Sequence, residues 1–546
     1  MILLQRSSTP VAGNHYLFSD FIRRLLVDIL TSPQALEPRA GPGNSKPSAF
    51  ATSEMSVFFP NGPHHNPSNK PAEKARKYKN QIENLLLQLE QQSASSMTCF
   101  ACGRPAVVDA AKENFPLIDS AEKRRNFHPA HYHGHPVCAQ CALAVQFLPI
   151  STMRTSPNGG LFWFLSSLES AIAIAPAAEL VLPKLDYCIS ANKRLSLYGD
   201  WEVPGKPTSA VVSALVALTG RSRLLGLVEP KYPTRAFFFA NDNRNPHVSV
   251  VEIPNSMFRY LAKLRLHHNR FNQFIRETLG VKQSCDLMLE ERPIVKQCVV
   301  WPENADSNVV LKGGWYAHAL YMKEVLRMQN RYIKTVEEVA LRIANSEDSL
   351  AELKSIKIER RPMQWLHRAI AKSLLTRDEL YVLVPPNDYR TASTALDYIA
   401  AAAADAIRCR AENEDWERWE EPASESDQDK HPIIQLVEET GERLFSSGYD
   451  PKKLFNGLRT ARGETSIRRV WLRALEGGAI GWADFKKLVP PGDQPTVYVV
   501  RDYMIAYLCD RLRGSIGPEE IEEPEEVIAS TDINIIEEEK EWPTLF

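Results

Sequence analysis

No stretch of about 18 apolar residues free of charge occurs in the 546-residue chain, so no membrane span is expected. The opening Met1-Ile-Leu-Leu-Gln-Arg-Ser-Ser lacks a sustained apolar core and a small-residue cleavage site, so no signal peptide is read and a cytoplasmic location is expected. Also missing are a Gly-x-x-x-x-Gly-Lys-Ser/Thr phosphate loop, a His-Glu-x-x-His pair, a Gly-x-Ser-x-Gly elbow and the kinase signatures. These absences argue against a P-loop ATPase, a zincin protease, an α/β-hydrolase and a kinase, and the chain is expected not to be an enzyme. Charge of one sign is lacking too. Lys and Arg total 65 against 67 Asp and Glu, a formal net charge of −2, so no global basic field announces a polyanion partner. Glycine (25) is scarcer than proline (37), which favours stiff connections over flexible linkers. The nine cysteines form no secretory framework: four make two tight pairs, while Cys188, Cys285, Cys298, Cys409 and Cys509 are scattered. That is the usage of a reducing compartment with one metal site.

What is present exceeds one ordinary core, since 546 residues call for two or three domains. The expected class is α+β: a mixed amino-terminal region carrying a four-cysteine zinc insertion, followed by a helical bundle. Apolar residues at three- and four-residue steps from Leu17 to Ile29 predict a first helix. Pro71 is placed to open a second, running to about Gln92, basic at its start (Lys70, Lys74, Arg76, Lys77, Lys79) and apolar at its end. Thr208–Leu225 reads as helix, and Ala236–Phe239 and His247–Ile253 as strands joined through an Asn/Asp/Pro connection. Pro254 ends the second strand, and Asn255 or Ser256 is placed to cap one helix reaching about Leu279. From Trp315 onward short helical segments follow near 315–330, 334–345, 363–375, 392–410, 433–446, 465–475 and 497–512. Glu412–Asp429, with two tryptophans, reads as an exposed acidic linker, and Glu519–Glu541, with eleven acids against one lysine, as a solvated tail. The expected domains are 1–310 with a zinc insertion at 97–145, a first helical part at 311–412, the linker at 413–430, a second helical part at 431–515 and the tail at 516–546.

Cys99-Phe-Ala-Cys102 and Cys138-Ala-Gln-Cys141 are separated by 35 residues. Each Cys-x-x-Cys turn places two sulfurs on one side, so the two turns can supply four thiolates at tetrahedral angles. Gly103 permits the positive φ common after such a turn, whereas Ala142 follows the second pair. Four thiolates close the shell around zinc, which points to a structural ion and not to one that activates water. Reduced core cysteines would not explain two identical spacings. His128, His131, His133 and His135 precede the second pair, and an HNH-type nuclease also sets histidines between zinc knuckles. No suitable dyad with a following Asn and His accompanies them, so a polar loop beside the metal is the preferred reading.

Two segments are candidates for nucleic acid. The helix after Pro254 carries Arg259, Lys263 and Arg270 close to one face, opposite Met257, Leu261, Leu264, Phe271 and Phe274, and could track phosphates. An ordinary amphipathic helix with a solvated basic face is equally compatible. The preceding loop offers Asn241, Asn243, Arg244 and Asn245, which suit base edges and also suit plain turns. A second cluster, Lys452, Lys453, Arg459, Arg462, Arg468, Arg469 and Arg473, reads as a solvated face or an ionic partner for the acidic tail.

The order of these features, a helical start, twin Cys-x-x-Cys, then Ala236-Phe-Phe-Phe-Ala-Asn-Asp-Asn-Arg-Asn-Pro-His-Val-Ser-Val-Val-Glu-Ile-Pro-Asn255 into Phe258-Arg-Tyr-Leu-Ala-Lys-Leu264, resembles the large subunit of type I CRISPR surveillance complexes (Cascade). The nearest group is the type I-B branch. The resemblance covers roughly residues 1–280 by order of features, and the loop Asn241-Asp-Asn-Arg-Asn245 departs from the expected Asn-Ser-Gly type. It implies a non-enzymatic subunit beside the guide RNA and other Cascade subunits that inspects the motif flanking the target duplex DNA, helps open the duplex and docks a helicase–nuclease or a transposition adaptor. Guide pairing would read the sequence and the protein the flanking duplex. The carboxy-terminal helices would resemble a small subunit, in some relatives translated from an internal start, for which Met322, Met328 and Met363 are suitably placed. A zinc-containing nuclease and a zinc-stabilised protein scaffold are the alternatives.

Overall fold

The computed structural model describes residues 23–29, 70–91, 96–111, 114–115, 134–156, 159–168, 170–181, 183, 187, 190–191, 207–219, 230–240, 247–281, 283–302, 309–358, 361–419 and 431–516. The chain divides into two compact units, one of residues 1–298 with 312–327, the other of 299–311 with 328–546. The class is α+β, with the four-cysteine cluster in the amino-terminal region.

In the first unit, α1 (Pro71–Gln91) begins at the proline, whose missing N–H would have no partner in a first turn. Of the helix expected over Leu17–Ile29, the described part is Arg23–Ile29, wound as a π-helix. Its Leu26 and Val27 are buried, and Arg23 pairs with Glu83 of α1 at 3.1 Å. A short antiparallel ribbon, β1 (Val108–Ala110) with β2 (His135–Val137), leads into α2 (Ala139–Gln146). The main sheet is an antiparallel meander of β3 (Met153–Ser156), β4 (Gly159–Ser166), β5 (Thr234–Ala240) and β6 (His247–Ile253). Side chains alternate across it, as strand pleating requires. Trp163 and Phe238 are direct cross-strand partners, both fully buried, with rings 5.5 Å apart. Phe164 and Phe237 stack at 5.6 Å on the opposite face, where Val248 and Val250 are exposed.

Helix α3 (Pro207–Thr219) between β4 and β5 is apolar nearly all round, and most of its residues are buried, as a core helix must be. After β6 the chain does not form one helix to Leu279. It forms α4 (Asn255–Leu266) and α5 (His268–Thr278), broken at His267, whose φ of −100° and ψ of 74° are not helical. The apolar stripe of Leu261, Leu264, Phe271 and Phe274 continues across the break, so periodicity alone could not reveal it. Nor do Asn255 and Ser256 cap α4. Asn255 donates to the Pro230 carbonyl at 2.6 Å, Ser256 to Glu291 at 2.6 Å, and Pro254 occupies the cap position with no side-chain bond. The helix α6 (Trp315–Glu324), grouped by sequence with the later helices, belongs to the first unit. There it packs on α4, where Tyr260 donates to the Ala317 carbonyl at 3.2 Å.

Among the described residues the second unit is helical apart from a two-residue ladder of Val299–Val300 with Val310–Leu311 and an isolated bridge between Arg513 and Ile516. Helix α7 (Asn330–Asn345) packs along α9 (Ala392–Glu412), with α8 (Pro362–Ala371) between them in sequence. Five consecutive alanines, Ala400 to Ala404, are buried, and such small side chains let helices approach closely. The acidic segment after α9 is exposed up to Arg418 apart from half-buried Trp416, and turns inward at Trp419. Trp419 is 6 % exposed; its backbone N–H donates to the buried Glu337 of α7 at 2.6 Å and its indole N–H to Asn330 at 3.3 Å. An aromatic with a buried acceptor waiting for its backbone overrides the acidic composition around it. The remaining helices α10 (Pro432–Ser446), α11 (Pro451–Thr460), α12 (Glu464–Glu476) and α13 (Trp482–Leu488) surround the long, largely buried α14 (Gln494–Arg511). A Cβ at Gly441 of α10 would sit 2.2 Å from Tyr507 of α14, so this crossing requires glycine. No helix among the described residues is long and apolar enough to cross a membrane.

Candidate metal centre and nucleic-acid interface

The two Cys-x-x-Cys turns converge. The sulfurs of Cys99, Cys102, Cys138 and Cys141 all lie within 4.8 Å of one another, and those of Cys102 and Cys138 are 3.5 Å apart. A tetrahedron with bonds of ~2.3 Å from metal to sulfur has edges of about 3.8 Å, so the spacing fits a bound zinc ion.

Each turn is built differently. In the first, the Cys99 N–H donates to the Arg104 carbonyl at 2.6 Å and the Gly103 N–H to the Cys99 carbonyl at 2.8 Å, with Gly103 at φ +74°. In the second, Cys138 caps α2 and its sulfur accepts the Cys141 N–H at 3.4 Å. That pair is the first turn of an α-helix, which needs no positive φ, and this is why Ala142 serves where glycine follows the first pair. The turns are joined through the β ribbon: Phe100 N–H donates to the Pro136 carbonyl at 3.0 Å and Val107 N–H to the Val137 carbonyl at 2.9 Å. A Cβ at Gly134 would meet the Ala110 carbonyl oxygen at 2.4 Å, so glycine is required where the chain enters β2. Buried Gln146 at the end of α2 donates to the Asn114 carbonyl at 3.2 Å, and α1 packs on α2 with Ile82, Leu85, Leu86 and Leu143 buried.

Burial raises the thiols of Cys138 and Cys141. At Cys99 burial acts in the same direction, but backbone N–H groups of Cys138, Ala101 and Cys102 overcome it and bring the thiol down to about 7. Zinc held on these four sulfurs would take the proton from each thiol, so binding there would be pH-dependent.

His135 lies on β2 outside the sulfur cluster, its ring 4.8 Å from that of Phe100. His128, His131 and His133 lie outside the described residues. Phe100, within the first knuckle, is 59 % exposed.

Of the basic residues singled out after Pro254, two are paired within the fold. Arg259 and Lys263 both turn to Glu324 of α6, Arg259 Nε at 2.6 Å and Lys263 Nζ at 2.7 Å from its carboxylate oxygens. Arg259 also donates to the Glu324 carbonyl at 2.9 Å. Arg270, beyond the break in α5, donates to Gln273 at 3.1 Å. The partner was invisible in sequence because Glu324 is 61 residues from Lys263 and its neighbours carry no signature. The loop residues Asn241, Asn243, Arg244 and Asn245 lie outside the described residues, between two strands held in register up to Ala240↔His247.

The basic start of α1, which the sequence showed but did not mark as a nucleic-acid candidate, lies on the surface. On α1, Arg76 and Lys79 are exposed, as is Lys70 just before it, and Lys74 is half-buried; Lys77 pairs with Glu73 at 3.0 Å. Cations in the first half of a helix oppose its macrodipole by about 0.3–1 kcal/mol each near the terminus, so helix stability does not account for them. The signal was present in the sequence as that misplaced charge.

Residues 92–153 match the model of a family described as "CRISPR-associated protein (Cas_CXXC_CXXC)". The twin-knuckle segment is thus similar to one found in a CRISPR-associated protein family. The match contains both Cys-x-x-Cys turns, the ribbon and α2, ends at the first residue of β3, and leaves the rest of the chain unmatched. No curated protein and no solved structure matches the chain.

Proposed function

We propose that the chain is the non-catalytic large subunit of an RNA-guided type I CRISPR interference complex, close to the type I-B branch. The observation that carries this reading is the CRISPR-associated family match over residues 92–153, whose four thiols converge on one centre. The aromatic strand pair that runs through Ile253-Pro254 into α4 supports it, because that order of elements is where the sequence resembles the large subunit. In this reading zinc on Cys99, Cys102, Cys138 and Cys141 is structural, because four thiolates leave no position for substrate.

The subunit recognises the motif flanking the target in duplex DNA, helps open the duplex and recruits the effector. We assign phosphate contacts to Lys70, Lys74, Arg76 and Lys79 at the start of α1, alongside Arg259, Lys263 and Arg270, of which the first two also pair with Glu324. The loop carrying Asn241, Asn243, Arg244 and Asn245 is offered as the base-reading element, since it leaves the sheet between two paired strands. Its partners are guide RNA, the other Cascade subunits and a helicase–nuclease or transposition adaptor, in the cytoplasm.

The test is co-purification of the chain with the products of its neighbouring genes, followed by extraction and sequencing of bound RNA. Repeat-derived RNAs of uniform length are expected. A chain that assembles with those neighbours but carries no guide RNA overturns the proposal.

A further inference from the structure

The basic end of the second unit has an occupant in the same chain. Helices α11 and α12 run antiparallel: a Cβ at Gly457 would contact Val470 at 3.0 Å, and one at Gly477, just after α12, would meet Tyr449, just before α11, at 2.9 Å. That alignment sets Lys452 and Lys453 at the start of α11 level with Arg473 at the end of α12, one turn beyond Arg469. Lys452, Lys453, Arg469 and Arg473 are all exposed.

From Asp450 to Leu488, nine Lys and Arg stand against four Asp and Glu. Three of those acids are already used: Asp450 caps α11 by accepting the Lys452 N–H at 3.0 Å, Glu464 pairs with Arg468 at 2.5 Å and Asp484 with Arg443 at 2.7 Å. Only Glu476 remains, and Lys453, Arg469 and Arg473 have no carboxylate partner among the described residues.

The last described residues lie at this same end. Lys452 Nζ donates to the Ser515 carbonyl at 2.6 Å, and Ile516 is buried, so the exit point is fixed. Glu519 follows three residues after Ile516 and opens a segment, to Glu541, with eleven acids and one lysine. Three extended residues span about 10 Å, so the first carboxylates cannot leave the neighbourhood of Lys452. Tethering also holds the segment at an effective concentration in the millimolar range, roughly what weak multi-point ion pairing needs.

We infer that the acidic segment Glu519–Glu541 docks on the basic face formed by Lys452, Lys453, Arg469 and Arg473, and thereby keeps other polyanions off it. Charge complementarity and the fixed exit point select this occupant over an external strand, which has no comparable anchor. The inference does not rest on the CRISPR assignment.

The test is carbodiimide cross-linking of the full chain with peptide mapping, alongside binding of a thymidine oligonucleotide to the full chain and to one ending at Gly517. Links from the 519–541 carboxylates to Lys452 and Lys453 within single molecules are expected, together with about tenfold tighter oligonucleotide binding by the shortened chain. Lys453→Glu, Arg469→Glu and Arg473→Glu together should remove the gain; all three sites are exposed, so folding is preserved and is checked by melting. Absence of links, equal binding by both chains, or a gain that survives the charge reversals overturns the inference. Links that scale with protein concentration overturn its intramolecular form, because the occupant would then come from a second copy.

Discussion

Replacing Glu324 by alanine separates a structural ion pair from a DNA-binding surface. The carboxylate is 7 % exposed and faces Arg259 at 2.6 Å and Lys263 at 2.7 Å. Removing one member of a fully buried pair costs about 3–5 kcal/mol, because the partner charge is left desolvated. Here the cations keep 28 % and 44 % of their side chains exposed, so both can partly rehydrate and the cost falls to about 2 kcal/mol. For a unit of this size each kcal/mol moves the midpoint by about 2–4 °C, so a fall of about 4–8 °C is expected in differential scanning calorimetry. Adding Lys263→Met should recover part of the loss, since it removes one stranded charge, and the two effects will not add. The reasoning is refuted if Glu324→Ala melts within about 1 °C of the parent, or if Arg259→Ala weakens duplex DNA binding with the midpoint unchanged.

Four further outcomes are expected. Cys99→Ser or Cys138→Ser should lose the metal, measured by elemental analysis, and lower the melting of the first unit, because binding free energy at such a site is folding free energy; unchanged metal and melting would remove the zinc assignment. Gly441→Ala should destabilise the second unit by about 2–4 kcal/mol in denaturant titration, because its Cβ would lie 2.2 Å from Tyr507 in a packed core. Burial holds the His367 imidazole down at about 4, neutral and bonded to the Asp502 carbonyl at 2.9 Å. The unfolded chain therefore binds a proton first, so stability is full above pH ~6.5 and falls toward pH 4, by about 3 kcal/mol in all, and His367→Gln should flatten that slope. Arg76→Glu with Lys79→Glu should weaken duplex DNA binding by the assembled complex at least about tenfold and reduce its salt dependence, with melting unchanged; equal binding would move the phosphate contacts elsewhere.

Much of the local structure was legible. The start of α1 at Pro71, the β5–β6 pair and most helices after Asn330 follow from proline position, β-branched and aromatic runs, and three- to four-residue periodicity. Short helices such as Pro451–Thr460 and Trp482–Leu488 escaped, because fewer than three turns leave too little periodicity to read. The break at His267 escaped for the opposite reason, since the apolar stripe runs through it unbroken. The acidic stretch after α9 is exposed from Asn413 to Arg418 apart from half-buried Trp416, and composition missed only that a buried acceptor, Glu337, draws Trp419 inward.

At the candidate site the division is similar. Four cysteines in two equal spacings are a local pattern with one economical explanation, and their convergence needed no knowledge of the fold. Whether a lysine or arginine faces solvent or a carboxylate is decided by residues distant in sequence. Sequence therefore determined the thiolate set, the class of each large element and the charge of each segment, all of which depend on spacing and composition. Only the tertiary structure decided that Arg259 and Lys263 pair with Glu324, while Arg76 and Lys79 of α1 and Lys452 and Lys453 at the start of α11 face outward. Coulomb pairing acts over a few ångströms in space and is indifferent to separation along the chain.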